Sequence, residues 1–115
     1  MRRIIYMLAL SIGFSSSAVA AELTGPEIQQ TLIGHPLAWK SAKFKASGVT
    51  LYNADGTATL TMDGGQAPEQ GKWRIKGNEI CDQWAGKKET CSGKIKKIDD
   101  KTFFLTNYKA TSKLQ

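Results

Sequence analysis

Gly71–Cys91 reads GKWRIKGNEICDQWAGKKETC, two consecutive β-hairpins that carry two of the chain's three Trp and both of its Cys. Gly77-Asn78 is a turn dipeptide between alternating residues. A two-residue loop there pairs Lys76 with Glu79, Ile75 with Ile80, Arg74 with Cys81 and Trp73 with Asp82. Gly at the first central position suits a type II′ turn, which needs a positive φ. One face then collects Trp73, Ile75, Ile80 and Trp84, and the other Lys72, Arg74, Cys81 and Gln83. Segregation with period two marks half-buried strands. The second hairpin turns about Gly86, which sets Cys81 opposite Cys91, within reach of a disulfide between neighbouring strands. In the same register Ile95 falls on the Cys face, so a bulge is expected near Ser92-Gly93.

Working outward to the start of the chain, Arg2-Arg3 is a positive n-region, Ile4–Phe14 an apolar run and Ala18-Val19-Ala20 an A-x-A cleavage site. This is the pattern of a secretory signal peptide, residues 1–20, on the general secretory route. A membrane anchor fits less well, because the apolar run is short for a bilayer. The rest, residues 21–115, is expected to be one β-rich domain in the periplasm, or secreted. So small a domain is marginal without a staple. Two Cys in an oxidising compartment supply one. Closing the Cys81–Cys91 loop is worth about 2.5–3 kcal/mol in the chain-entropy model. Their spacing is not C-x-x-C and the chain has 1 His, so no redox pair, metal site or cofactor is expected.

Thr24, Pro26 and Glu27 are helix-start signals: an N-cap, a first-turn proline and a capping-box partner. Leu23 and Ile28 have the spacing of a hydrophobic staple. Gly34 ends the helix in αL and Pro36 prevents its return. A helix of about nine residues is too short to stand alone and must pack on an end or edge of the sheet. His35, just beyond it, is read as a surface or capping residue, since no nucleophile or carboxylate is placed to work with it.

Trp39–Phe44 is a weak strand. Val49–Tyr52 and Thr57–Met62 are clearer, joined by Asn53-Ala54-Asp55-Gly56. Pairing Tyr52 with Thr57 sets Leu51 opposite Ala58 and Val49 opposite Leu60, leaving the threonines on a wet face. Asp63–Gln70 is a loop of the kind that edges ligand sites, although a plain connector is the commoner role. Lys94–Ile98 is a basic strand, Thr102–Asn107 a buried last strand, and Thr111–Gln115 a frayed tail. The expected fold is mainly β: a small, strongly curled antiparallel sheet or barrel, a meander of about six or seven strands with one short N-terminal helix.

The formal net charge is +6, and from Gly86 onward eight Lys stand against three acids, Glu89, Asp99 and Asp100. Lys87, Lys88, Lys94, Lys96 and Lys97 are a candidate patch for envelope anions, set against the plainer role of a solvated face. Nucleic acid is not an expected partner, and no span is left after signal cleavage. Catalytic motifs are missing: no G-x-S-x-G, no H-E-x-x-H, no phosphate loop. No enzyme is therefore expected. Asp82, lying between Trp73 and Trp84 on the apolar face, has its pKa raised unless it is paired. It leads the candidate ligand-binding set, Asp82, Trp84, Trp73 and Tyr52.

Three stretches carry a resemblance: Glu27-Ile28…Leu32-Ile33-Gly34, Gly48–Thr57 with its Y-x-x-D-G-T turn, and Gly71-Lys72-Trp73-Arg74-Ile75…Cys81…Trp84…Cys91. In this order they resemble short exported alphaproteobacterial proteins of unknown function, the DUF995-like and VirK-like proteins. The resemblance covers most of residues 21–115. It implies a periplasmic β-rich protein and brings no active site with it. The expected function is a small binding or accessory protein, with an unknown small ligand or an envelope protein as partner. The alternatives are an inhibitor of a secreted hydrolase and an anion-binding surface protein. The net positive charge disfavours a cationic lysozyme as target, because like charges slow encounter.

Overall fold

The computed structural model describes residues 21–115, and the signal peptide expected at residues 1–20 lies outside them. One helix, α1 (Gly25–Thr31), precedes most of a single antiparallel sheet. Its strands are β1 (Ala21–Glu22), β2 (Leu37–Ser41), β3 (Ala46–Tyr52), β4 (Thr57–Met62), β5 (Glu69–Lys76), β6 (Glu79–Trp84), β7 (Thr90–Cys91), β8 (Ile95–Asp99), β9 (Thr102–Leu105) and β10 (Ala110–Leu114). The order across the sheet is β1-β8-β9-β10-β2-β3-β4-β5-β6-β7. The sheet is open and strongly curled, a half-barrel with ten strands rather than six or seven.

The additional strands have separate causes. β1 is two residues long and pairs with β8, Glu22 opposite Lys96. β7 and β8 are separate strands where one bulged strand running from Cys91 into Lys94–Ile98 is expected. Between them Ser92 leaves the ladder: its N–H donates to the Ile80 carbonyl (2.8 Å) and its Oγ accepts from Ile80 N–H (3.1 Å). That interruption lets Ile95 turn into the core, fully buried, so the expected bulge at Ser92-Gly93 is a strand break. The register shift that does occur lies further on, between Lys97 and Asp99 in the β8–β9 pair. The expected frayed tail is β10, which runs between β9 and β2. Ala110 and Ser112 are its buried residues, too small to announce a strand by hydrophobicity.

The first hairpin and the Cys pair follow the expected registers, with Trp73 opposite Asp82, Ile75 opposite Ile80 and Cys81 opposite Cys91. The disulfide joins Cys81 and Cys91. On the same outer face Arg74 clamps Glu89 with two bonds of 2.8 Å.

The β3–β4 register differs from expectation by one residue. Tyr52 pairs with Ala58, Leu51 with Thr59 and Thr50 with Leu60. Gly56 is the reason. Its N–H donates to Asn53 O (3.0 Å), closing a tight turn, and its φ of +92° adds a left-handed residue before Thr57. A turn followed by an αL residue shifts a hairpin by one position, and a one-residue shift exchanges the faces. Gly48, Thr50 and Tyr52 therefore face inward with Ala58, Leu60 and Met62, while Val49 and Leu51 go outward with the threonines.

The helix is seven residues long and carries the expected capping box: Glu27 N–H to Thr24 Oγ1 (3.3 Å) and Thr24 N–H to Glu27 Oε1 (2.8 Å). Its place at one end of the curled sheet is set by three contacts. Gly25 N–H donates to Asn78 Oδ1 (2.9 Å), Leu23 N–H to Ile95 O (2.9 Å) and Gly34 N–H to Tyr52 O (2.7 Å). Ile28 and Leu32 are buried against Ile80, Ile95 and Phe103. Full burial of such side chains contributes about 1.5–3 kcal/mol each, and it seals that end. His35 is exposed beyond it.

Candidate functional site

Antiparallel strands send alternate connections to opposite ends of a meander. The β2–β3, β4–β5, β6–β7 and β9–β10 connections therefore meet at the end away from α1. Each contributes a side chain to the rim of one cavity: Phe44, Gln66, Lys87 and Tyr108. The cavity has a volume of about 450 Å³ and descends between the curled strands to a floor containing Leu32, Leu37 and Ile80. That volume falls within the roughly 300–1,000 Å³ usual for small-molecule sites, which occur in the mouths of β-barrels among other places. Much of the wall is apolar: Trp39, Leu60, Met62, Trp84, Leu105 and Ala110.

The two wall tryptophans need glycines opposite them. Trp39 pairs with Gly48 and Trp84 with Gly71. A Cβ on Gly71 would lie 2.6 Å from Trp84 Cε3, and one on Gly48 would lie 2.5 Å from the Thr61 carbonyl and 3.2 Å from Trp39 Cζ2. The missing side chains allow the indoles to lie against the strand and leave the centre open. Trp39 Nε1 is the buried side-chain polar atom that has no hydrogen-bond partner among the described residues.

Polar groups converge at one place on this wall. Tyr52, from β3, donates its hydroxyl to Asp82 Oδ2 on β6 at 2.9 Å. Thr90, opposite Asp82 on β7, donates to Oδ1 at 3.3 Å, and Tyr108 donates to Thr90 Oγ1 at 3.0 Å. The proton directions run toward the carboxylate from both sides. Asp82 is 5% exposed. Burial pushes its carboxyl above the usual carboxylate range, against the opposing pull of hydrogen bonds from Tyr52, Thr90 and Trp84. Burial also raises the Tyr52 phenol well above its ordinary value, with the Asp82 charge adding to the effect. Tyr108 is pushed up to about 12, first by burial and then by the same charge. Both phenols are therefore donors at physiological pH.

The candidate set is partly brought together. Asp82, Trp84 and Tyr52 share the cavity wall. Trp73 stands behind Tyr52 instead, edge-on at a centroid distance of 6.1 Å, with its Nε1 donating to Asn53 O at 2.7 Å. It holds the tyrosine in place from outside the cavity. Thr90, Tyr108 and Trp39 belong to the site and were not singled out from sequence. The Asp82–Thr90 pairing was already implied by the Cys81–Cys91 register. Tyr108 had no such signal, because it reaches the site through the curl of the sheet.

The five lysines of the candidate anion patch are divided. Lys87 and Lys88 lie in the β6–β7 connection, Lys87 on the cavity rim. Lys94 and Lys97 lie near acids, Glu22 at 3.8 Å and Asp100 at 3.4 Å, and Lys96 is half-buried beside β1. Glu79, Cys81 and Cys91 come close enough together to resemble a metal-ligand group. The two sulfurs are bonded to each other and Glu79 Oε1 accepts from Gly93 N–H at 2.9 Å, so the group is a structural joint.

Comparison with protein-family models, with curated proteins and with solved structures finds no match.

Proposed function

We propose that this protein is a binding module that holds a small, mainly apolar ligand inside the cup, with a polar group of that ligand set against Asp82. The observation that carries the reading is the cavity itself. It is about 450 Å³ in volume, sealed at one end by α1 and apolar over much of its wall, with a single convergent polar cluster. A few placed polar groups in an otherwise apolar concavity orient a ligand while burial supplies affinity. The disulfide and the signal-like N-terminus support work in an oxidising, extracytoplasmic compartment. The resemblance to exported β-rich proteins agrees with that placement.

The test is titration with N-phenyl-1-naphthylamine, an apolar dye whose emission rises on leaving water. Saturable enhancement is expected, and Ala46→Trp, which adds an indole to the cavity wall, should abolish it. A linear, non-saturating response in the folded wild type overturns the proposal. So does an Ala46→Trp protein that is folded and binds as well as wild type.

A further inference from the structure

The charge distribution inside the cup narrows the ligand class, an inference that rests on the binding reading above. Asp82 is the only charged residue that is buried among the described residues. No ion pair among those residues involves it. Its protein partners, the Tyr52 and Thr90 hydroxyls and the Trp84 indole, are all neutral donors. A carboxylate has about four acceptor positions, so three neutral donors leave room for a further one. A buried carboxylate without a cation is costly, and a ligand that brings one removes that cost.

The surroundings point the same way. Tyr52, Trp84, Tyr108, Trp39 and Phe44 place aromatic rings around the cavity, and ring faces attract cations. The other charged residues on the wall are Glu69 and Lys87. Lys87 is exposed on the rim and Glu69 is half-buried, so the inner wall is acidic although the chain as a whole is basic. An anion would meet Asp82 at the polar end of the cavity. A purely apolar ligand would exclude water from Asp82 and replace it with nothing.

We propose that the ligand is a small organic cation, an ammonium group on an apolar body, with its head against the Asp82 carboxylate and its body among the aromatic rings.

The experiment uses three probes with one chain and three heads: n-octylammonium, n-octanoate and n-octanol, each displacing the naphthylamine dye. Octylammonium is expected to bind about tenfold or more tighter than octanol, with octanoate weakest. In Asp82→Asn the ammonium preference should vanish while octanol affinity stays within about twofold. A second measurement covers the case in which that variant fails to fold. In wild type, octylammonium affinity should fall as pH is lowered and Asp82 takes a proton, while octanol affinity holds. Tyr52 from β3 and Tyr108 from the β9–β10 connection face Asp82, Glu69 from β5 and Lys87 from the β6–β7 connection share the cavity wall with it, and Glu89 acts on it by charge from the outer face. Burial keeps both phenols protonated in this range, and the Arg74 hydrogen bonds hold the Glu89 carboxyl below the usual carboxylate range. Octanol or octanoate binding as tightly as octylammonium overturns the cation proposal and leaves the cup intact, as does a preference that survives Asp82→Asn. Dye binding with displacement by none of the three probes also overturns it. Failure of the dye itself to bind belongs to the cup reading.

Discussion

Tyr52 reaches Asp82 from β3 to β6, strands separated by two others in the sheet, through a hydrogen bond of 2.9 Å. The contact exists only because the sheet curls, and it ties opposite walls of the cup together. Tyr52→Phe removes it with little change in shape. Asp82 Oδ2 then loses its phenol donor, and a lost hydrogen bond to a buried carboxyl group costs about 1–3 kcal/mol. Urea denaturation of the variant should show that loss with an unchanged slope. Stability equal to wild type would mean that the hydroxyl contributes nothing across the cup.

Asp82→Asn should change how stability depends on pH. Burial raises the carboxyl pKa in the folded state, so between its unfolded value and that raised value the folded protein binds more protons than the unfolded chain. Stability from this group is therefore full below the unfolded pKa, about 3.9 for Asp, and declines as pH rises through the folded pKa. Relative to Asp82→Asn, wild type should lose ground as pH rises from acid toward neutral. Midpoints of denaturation measured for both proteins across that range decide it. A constant difference, or one of the opposite sign, removes the argument.

Gly48→Ala tests the wall of the cup. A Cβ there meets the Thr61 carbonyl at 2.5 Å, and backbone in a central strand pair cannot move aside cheaply. Such overpacking costs about 1–3 kcal/mol. The tryptophan emission should shift as Trp39 is pushed from its place. Unchanged stability and emission would show that the glycine is not needed there.

Replacing Cys81 and Cys91 together by Ala should cost about 2.5–3 kcal/mol from loop entropy. The next pair along the same two strands is Asp82 and Thr90. Freed β7 should therefore hold Thr90 less well against the carboxylate, and dye affinity should fall along with the melting temperature. A fall in melting temperature alone would confine the bond to a stabilising role.

Much of the fold was legible where local rules set the geometry. The Gly77-Asn78 loop sets the β5–β6 register through a two-residue turn, and the Cys pair sets β6 against β7. The Thr24–Glu27 capping box locates the helix. Legibility failed where a single residue changed the count. Gly56 in αL moved the β3–β4 register by one and reversed its faces, which put Thr50 inside and Val49 outside. It failed again where the strand lacked bulk, as in Ala110–Leu114, whose buried residues are Ala and Ser. The site was half visible. A carboxylate on an apolar face singled out Asp82, and its neighbour Trp84 came with it. Tyr108 and Trp39 join them through the curvature of the whole sheet, which no local pattern encodes. Trp73 was placed by strand alternation on the correct face, but the packing of Tyr52 keeps it out of the cavity.

The position of β10 between β9 and β2 has a consequence for assembly. Every other neighbouring pair among the cup strands β2 to β9 joins segments close in sequence, and such hairpins form by short loop closures. β2 is different, since its second partner is the last strand of the chain, with Leu114 opposite Leu37. A chain made from its N-terminus leaves that edge of β2 unpaired until β10 has been made. The cup is therefore completed only once β10 is added, and a chain without Ala110–Leu114 would be split within its sheet, between β9 and β2, rather than trimmed at the margin.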